Sequence, residues 1–153
     1  MAVRPAVVGD AARLAELLAG GALTATEDPS DVDAYSRALA DIAATPGNTV
    51  LVAEVDGRVV GMCQLLVFRH LQHRGGRCAE VESVHVDAAG RSAGIGSALM
   101  AAAVERAEAA GCYRLQLTSN VDRPDAHRWY RRLGFQATHV GFKYVLGRRR
   151  RPE

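Results

Sequence analysis

No apolar run in the 153-residue chain approaches the ~20 consecutive residues that a helical membrane span requires, so no membrane insertion is expected. The opening Met1-Ala2-Val3-Arg4-Pro5 lacks a basic segment leading into an apolar stretch and a small-residue cleavage site, so nothing reads as a secretion signal and a cytoplasmic location is expected. Cysteine is scarce: Cys63, Cys78 and Cys112 are odd in number, widely spaced and without a C-x-x-C pair, which suits a reducing compartment and reads as small buried hydrophobes. Aromatic residues make up only 5%, none is interleaved with a basic run, and the net charge is +2, so nucleic acid is not an expected partner. No internal repeat or low-complexity stretch is present.

What remains is the composition of an ordinary globular protein, 48% hydrophobic and 24% charged, at a length that suits one domain of roughly 100–150 residues. One domain is expected over residues 1–147, with a basic tail at 148–153. The charge is unevenly spread. Arg148 to Arg151 form a run that reads as a solvated tail or as a contact for an anionic ligand, whereas Glu27, Asp28, Asp31 and Asp33 cluster near the N-terminus. That acidic cluster reads equally as an attractor for a cationic substrate and as helix-start chemistry.

The hydrophobic period places the elements. Residues 3–8 read as a short strand, and Asp10 is placed to cap a helix whose Ala11, Leu14, Leu17 and Leu18 share one face before Gly20-Gly21. Ser30 and Asp33 give a capping-box pattern ahead of a second helix with Val32, Tyr35, Leu39 and Ile42 at helical spacing. Residues 49–55 and 59–68 form a hairpin across Asp56-Gly57, and residues 70–77 read as a polar loop. The strand over 79–86 slips its apolar phase between Val81 and Val84, which predicts a β-bulge near Glu82-Ser83. A helix over 94–110 presents Ile95, Ala98, Leu99 and Ala102 on one side and ends at Gly111. A strand through Leu115 and Leu117 follows, then a helix with Pro124 at its first turn and Gly134 after its end, then two short strands within 136–146. The order β-αα-βββ-α-β-α-ββ makes a mixed α/β domain.

The most informative segment is Arg91-Ser92-Ala93-Gly94-Ile95-Gly96-Ser97, because it lies between a strand and the start of a periodic helix. The first amides of a helix have no partners in the helix, and its dipole places roughly half a positive charge there, so the position attracts phosphate. Gly94 and Gly96 let the backbone approach an anion without a Cβ in the way, and Arg91 adds charge. No Gly-Lys-Ser/Thr follows, so the segment is not a P-loop. Leu99 stands where a dinucleotide fingerprint has its third glycine.

In its surroundings this pattern resembles the GNAT superfamily of N-acetyltransferases, whose hallmark is Arg/Gln-x-x-Gly-x-Gly/Ala between a strand and a long helix, here Arg91-x-x-Gly94-x-Gly96. Asn120 after the next strand and Trp129-Tyr130-Arg131-Arg132-Leu133-Gly134-Phe135 match the family's second hallmark. The resemblance implies a mixed, mostly antiparallel sheet flanked by helices, acetyl-CoA as co-substrate, and by family habit a homodimer. It implies that backbone amides over Arg91, Ser92, Ala93, Gly94, Ile95, Gly96 and Ser97 hold the pyrophosphate. Val84 and Val86 would then pair with the pantetheine arm in a gap between splayed strands, and Asn120 would reach its amides.

The implied reaction moves an acetyl group onto a primary amine of a small molecule by direct attack in a ternary complex. An alkyl amine with a pKa near ~10.4 is almost wholly protonated at neutral pH and needs a base. Glu80 is the first candidate and Glu82 the second, and Tyr130, protonated at physiological pH, matches the family's proton donor to the departing thiolate. His70-Leu-Gln-His73 together with Asp125-Ala-His127-Arg-Trp-Tyr130 looks somewhat like the aminoalkylphosphonate acetyltransferases. Glu27, Asp28, His70 and His73 are candidate acceptor-site residues, and no metal is expected. Acetylation of a peptide or protein amine, and a non-catalytic coenzyme-A-binding regulator, are the alternative readings.

Overall fold

The computed structural model describes residues 1–21, 27–90 and 93–146, so Arg91, Ser92 and the basic tail lie outside the described residues. The chain divides into two compact units, Met1–Leu117 and Thr118–Glu153.

The first unit is built on a five-stranded sheet of order β1-β2-β3-β4-β5: β1 (Ala2–Pro5), β2 (Asn48–Val55), β3 (Arg58–Arg69), β4 (Arg77–Val86) and β5 (Cys112–Leu117). Strands β1 to β4 pair antiparallel, and β4 pairs with β5 in parallel after a crossover through α4 (Ile95–Ala109). The β2–β3 turn is Asp56-Gly57, both at positive φ (49° and 76°), the geometry that a two-residue hairpin needs. The run Val50-Leu51-Val52-Ala53 is buried throughout because both sheet faces are covered. On one face Val50, Val52 and Met62 pack with Leu14 and Leu17 of α1 (Ala11–Gly21) and Leu39 of α2 (Val32–Ala44). On the other, α4 closes onto Gly61, where a Cβ would stand 3.0 Å from Ile95 Cγ2 and 3.2 Å from Leu99 Cδ1.

Between α2 and β2 the chain reverses at Gly47, with φ 82°, and its carbonyl accepts the Val67 amide at 2.6 Å. A Cβ there would fall 2.2 Å from the Val67 carbonyl oxygen. Gly47→Ala is therefore expected to cost about 1–2 kcal/mol from the left-handed backbone alone, with the displaced Val67 carbonyl adding to it, measured as a lowered midpoint of thermal unfolding.

Helix starts differ in detail from the sequence pattern. The N-cap of α2 is Asp31, whose carboxylate accepts from Ala34 N–H at 3.1 Å, and not Ser30. Ser30 directs both its amide and its hydroxyl at Asp28 Oδ1, at 2.9 and 2.6 Å, so its side chain is engaged upstream. Asp10 ends a 3-10 turn, Val8–Asp10, accepting from Val7 N–H at 2.8 Å and pairing with Arg4. Arg4 holds the Asp10 carboxyl below its usual range. The residues 70–77 include a single turn, α3 (Gln72–Gly75), with His73 and Arg74 at positive φ. Cys63 and Cys78 are buried and Cys112 half-buried; burial pushes the Cys63 thiol up to about 12, so it stays protonated.

The second unit contains α5 (Pro124–Arg132), with proline in its first turn, and Gly134 at φ 94° after its end. The two final strands expected within 136–146 are not formed: among the described residues no strand follows Leu117. Val140, Phe142, Tyr144 and Leu146 do alternate, but all are exposed, and local bonds such as Thr138 N–H to Gln136 O replace a ladder. Alternation supplies a face; a strand also needs a neighbouring backbone to pair with.

Candidate active site

Strand β4 organises the candidate residues of the first unit. Its register pairs Leu66 with Glu80 and Gln64 with Glu82 on β3, and Glu80 with Gln116 on β5. Directly opposed residues share a face, so Glu80, Glu82, Gln64, Leu66 and Gln116 form one surface, the side on which α1 and α2 pack. Glu80 is half-buried, and Gln116 Nε2 donates to its Oε2 at 2.9 Å. The bond belongs to a row of four side chains: Arg114 Nε donates to Cys78 Sγ at 3.3 Å, and the Cys78 thiol donates to Gln116 Oε1 at 3.7 Å. Glu82 is more exposed than Glu80.

The bulge expected from the phase slip is present. The β3–β4 register steps from Gln64–Glu82 to Met62–His85, one extra residue on β4, and Ser83 takes φ 52°. Just before it the other edge opens: pairing with β5 ends at Val81–Leu117, whereas β4 continues to Val86. Val84 and Val86 therefore lie in a stretch of β4 without a β5 neighbour.

Beyond β4 a 3-10 turn, Ala88–Gly90, leads toward α4. Gly94 is the N-cap of α4, at φ 78° and ψ 2°, and among the described residues it has no side-chain cap and, apart from its chain neighbours, nothing within 4 Å of where a Cβ would stand. Ala98 N–H to Gly94 O, at 3.0 Å, is an i to i−4 bond of the first turn, so the amides of Ile95, Gly96 and Ser97 precede that bond. Gly94, Ser97 and Ala93 are exposed and Gly96 half-buried, an open end that a diphosphate fits.

The other candidates are engaged locally. Glu27 accepts the Tyr35 hydroxyl at 2.7 Å, and the Asp28 carboxyl is held below its usual range by the Ser30 hydroxyl and amide. His70 Nδ1 lies 2.9 Å from the Tyr113 hydroxyl, and the His73 ring packs against the Tyr113 ring with centroids 3.9 Å apart. These histidines sit at the end of β4 away from the bulge. Among the described residues, no group of three or more His, Cys, Asp and Glu side chains is arranged to hold a metal ion, and no helix is long and apolar enough to cross a membrane. A cavity of ≈ 180 Å³ between α2 and β2, lined by Leu39, Ile42, Asn48 and Val50 among others, includes none of the candidate residues.

In the second unit, Asn120 Oδ1 accepts from Asp122 N–H at 2.9 Å, and His127 Nε2 lies 2.8 Å from the Asn120 carbonyl oxygen, so the turn fixes Asn120 and leaves its side-chain amide to donate. Beside it, Ser119 Oγ is buried with no hydrogen-bond partner among the described residues. Tyr130 is the buried aromatic of α5, 4.7 Å from the half-buried Trp129 ring and edge-on to Phe135 at 5.9 Å.

The profile of the acetyltransferase (GNAT) family matches residues 17–135, from α1 through the Gly-Phe that follows α5. The chain belongs to the GNAT family. Its mixed α/β fold and its class, acetyl-CoA-dependent N-acetyltransferase, follow from that membership. A rice glucosamine 6-phosphate N-acetyltransferase, described as probable, is 34% identical over 83% of this chain and 74% of its own length. An aminoalkylphosphonate N-acetyltransferase of Salmonella typhimurium is 38% identical over 60% of this chain, a match that spans 58% of that relative. Among solved structures, one from Bacillus halodurans described as a transcriptional regulator is 34% identical, with TM-score 0.87 over 94% of this chain and 98% of its own.

Three residues of this GNAT chain were not singled out in the sequence. Gln116 and Arg114 alternate with Leu115 and Leu117, which places them on the opposite face of β5, but only the register brings them beside Glu80 and Cys78. Ser119 carried no signal beyond its place before Asn120.

Proposed function

We propose that this protein transfers the acetyl group of acetyl-CoA to a primary amine of a small molecule, by direct attack in a ternary complex. The observation that carries the reading is the break in β4–β5 pairing after Val81–Leu117, one residue past a carboxylate held by Gln116 and next to the bulge. A bound thioester supplies an acyl carbon activated toward nucleophiles. Val84 and Val86 are suited to pair with the pantetheine amides in the gap, and Asn120 is assigned as a further donor through its place after β5 in the family pattern. The amides of Ile95, Gly96 and Ser97 are suited to the diphosphate.

Glu80 takes the proton of the incoming ammonium, directly or through a water, with Glu82 adding negative charge that draws the cation to the same surface. The amine nitrogen bonds to the acyl carbon as the carbon–sulfur bond breaks. Tyr130, assigned through its place in the aromatic-Tyr-x-x-x-Gly-Phe motif, gives its phenolic proton to the departing thiolate, and the second proton that the nitrogen sheds on becoming an amide returns to the phenolate by way of solvent. Glu27, Asp28, His70 and His73 are assigned to the acceptor side. The relatives named for glucosamine 6-phosphate and aminoalkylphosphonate support a small-molecule amine over a peptide.

A screen of acetyl-CoA-dependent thiol release across polyamines, aminoglycosides, amino acids, aminophosphonates and short peptides tests the reading. Turnover of a small amine at least tenfold above any peptide is the expected result. The Bacillus structure described as a transcriptional regulator favours a second reading, a coenzyme-A-binding regulator. Acetyl-CoA binding with no turnover of any amine would select it.

A further inference from the structure

We propose that Arg114 forms an anion subsite beside Glu80, so that the acceptor carries a phosphonate, phosphate or carboxylate as well as its amine; this rests on the acetyl-transfer reading above. Among the described residues, Arg114 has no carboxylate within ion-pair distance, although it is half-buried. Its Nε donates to a thiol sulfur, Cys78 Sγ at 3.3 Å, a weak acceptor for a guanidinium. Its Cζ stands 5.4 Å from the centroid of the Tyr113 ring, which supports the guanidinium without neutralising it. With Nε committed, the two Nη groups remain as a fork, the geometry that grips an oxyanion through two parallel hydrogen bonds.

The placement sets the length of the ligand. Arg114 and Gln116 are two residues apart on β5, and Gln116 lies opposite Glu80, so the cationic site and the candidate base are about 7 Å apart along one sheet face. Glu80 and Glu82 draw the ammonium end of such a molecule and Arg114 its anionic end, so the acceptor binds in one orientation with its amine at the base.

Steady-state kinetics on the full chain with 3-aminopropylphosphonate, 4-aminobutyrate and butylamine separate the outcomes. The wild type is expected to favour at least one anionic acceptor over butylamine in kcat/KM by about tenfold or more, a preference that Arg114→Gln abolishes through KM and Arg114→Lys partly restores. The two anionic arms tell a phosphonate site from a carboxylate site. Turnover of butylamine as well as of the anionic amines, or a preference untouched by Arg114→Gln, overturns this inference and leaves acetyl transfer standing. Without turnover of any amine, calorimetry with 3-aminopropylphosphonate decides: uptake lost in Arg114→Gln supports the subsite although the catalytic reading fails, and no uptake by the wild type overturns it.

Discussion

Glu80→Gln is expected to lower kcat by about 10²–10⁴-fold while leaving the affinity for acetyl-CoA unchanged, because general-base catalysis contributes about that much and the amide cannot take a proton. The substitution keeps the side chain's shape. A glutamine carbonyl at position 80 still accepts from Gln116 Nε2, so the row Arg114, Cys78, Gln116 and the face of β4 remain in place. Calorimetric titration with acetyl-CoA and steady-state turnover, run on the same preparation, separate binding from chemistry. Turnover within a factor of three of the wild type would move the base to Glu82, which shares the face two residues along and keeps its carboxylate in this variant.

The second large effect belongs to the mouth of α4. Gly94→Val is expected to weaken acetyl-CoA binding by at least about tenfold, for two reasons that one control separates. At φ 78° any L-residue costs about 1–2 kcal/mol, more when β-branched, so the turn tends to shift. Among the described residues beyond its two chain neighbours, none has an atom within 4 Å of the Cβ position, so a side chain there fills space open to a ligand and covers the amides of Ile95, Gly96 and Ser97. Gly111, at the far end of the same helix, has φ 71° and equally open surroundings. Gly111→Val therefore carries a similar backbone cost and is expected to lower thermal stability without changing the dissociation constant. Equal loss of binding in both variants would assign the effect to destabilisation of α4 instead of a blocked anion site.

Much of the first unit was legible because its signals are local. The slip of the apolar phase between Val81 and Val84 corresponds to an extra residue on β4 with Ser83 in the left-handed region, and Asp56-Gly57 forms the hairpin turn its residue types favour. Gly94 and Pro124 mark the starts of α4 and α5 for reasons contained in single residues. The N-cap of α2 shifted by one position because Asp28 competes for Ser30, a side-chain choice that the S-x-x-D spacing does not resolve. Residues 136–146 carry the alternation of strands but not the identity of a partner, and pairing is set by the tertiary arrangement. For the same reason Gln116 and Arg114 carried no signal of their own: the contacts with Glu80 and Cys78 exist only once the β4–β5 register is fixed.

Acetyl transfer by this chain requires anion binding at the start of α4 with the thioester directed along the open edge of β4. A crystal structure of the chain with coenzyme A tests it most directly. The diphosphate is expected within hydrogen-bond distance of the Ile95, Gly96 and Ser97 amides, with the pantetheine arm paired to β4 near Val84 and Val86. Coenzyme A bound with its diphosphate away from that helix end, or its arm off the β4 edge, would contradict it.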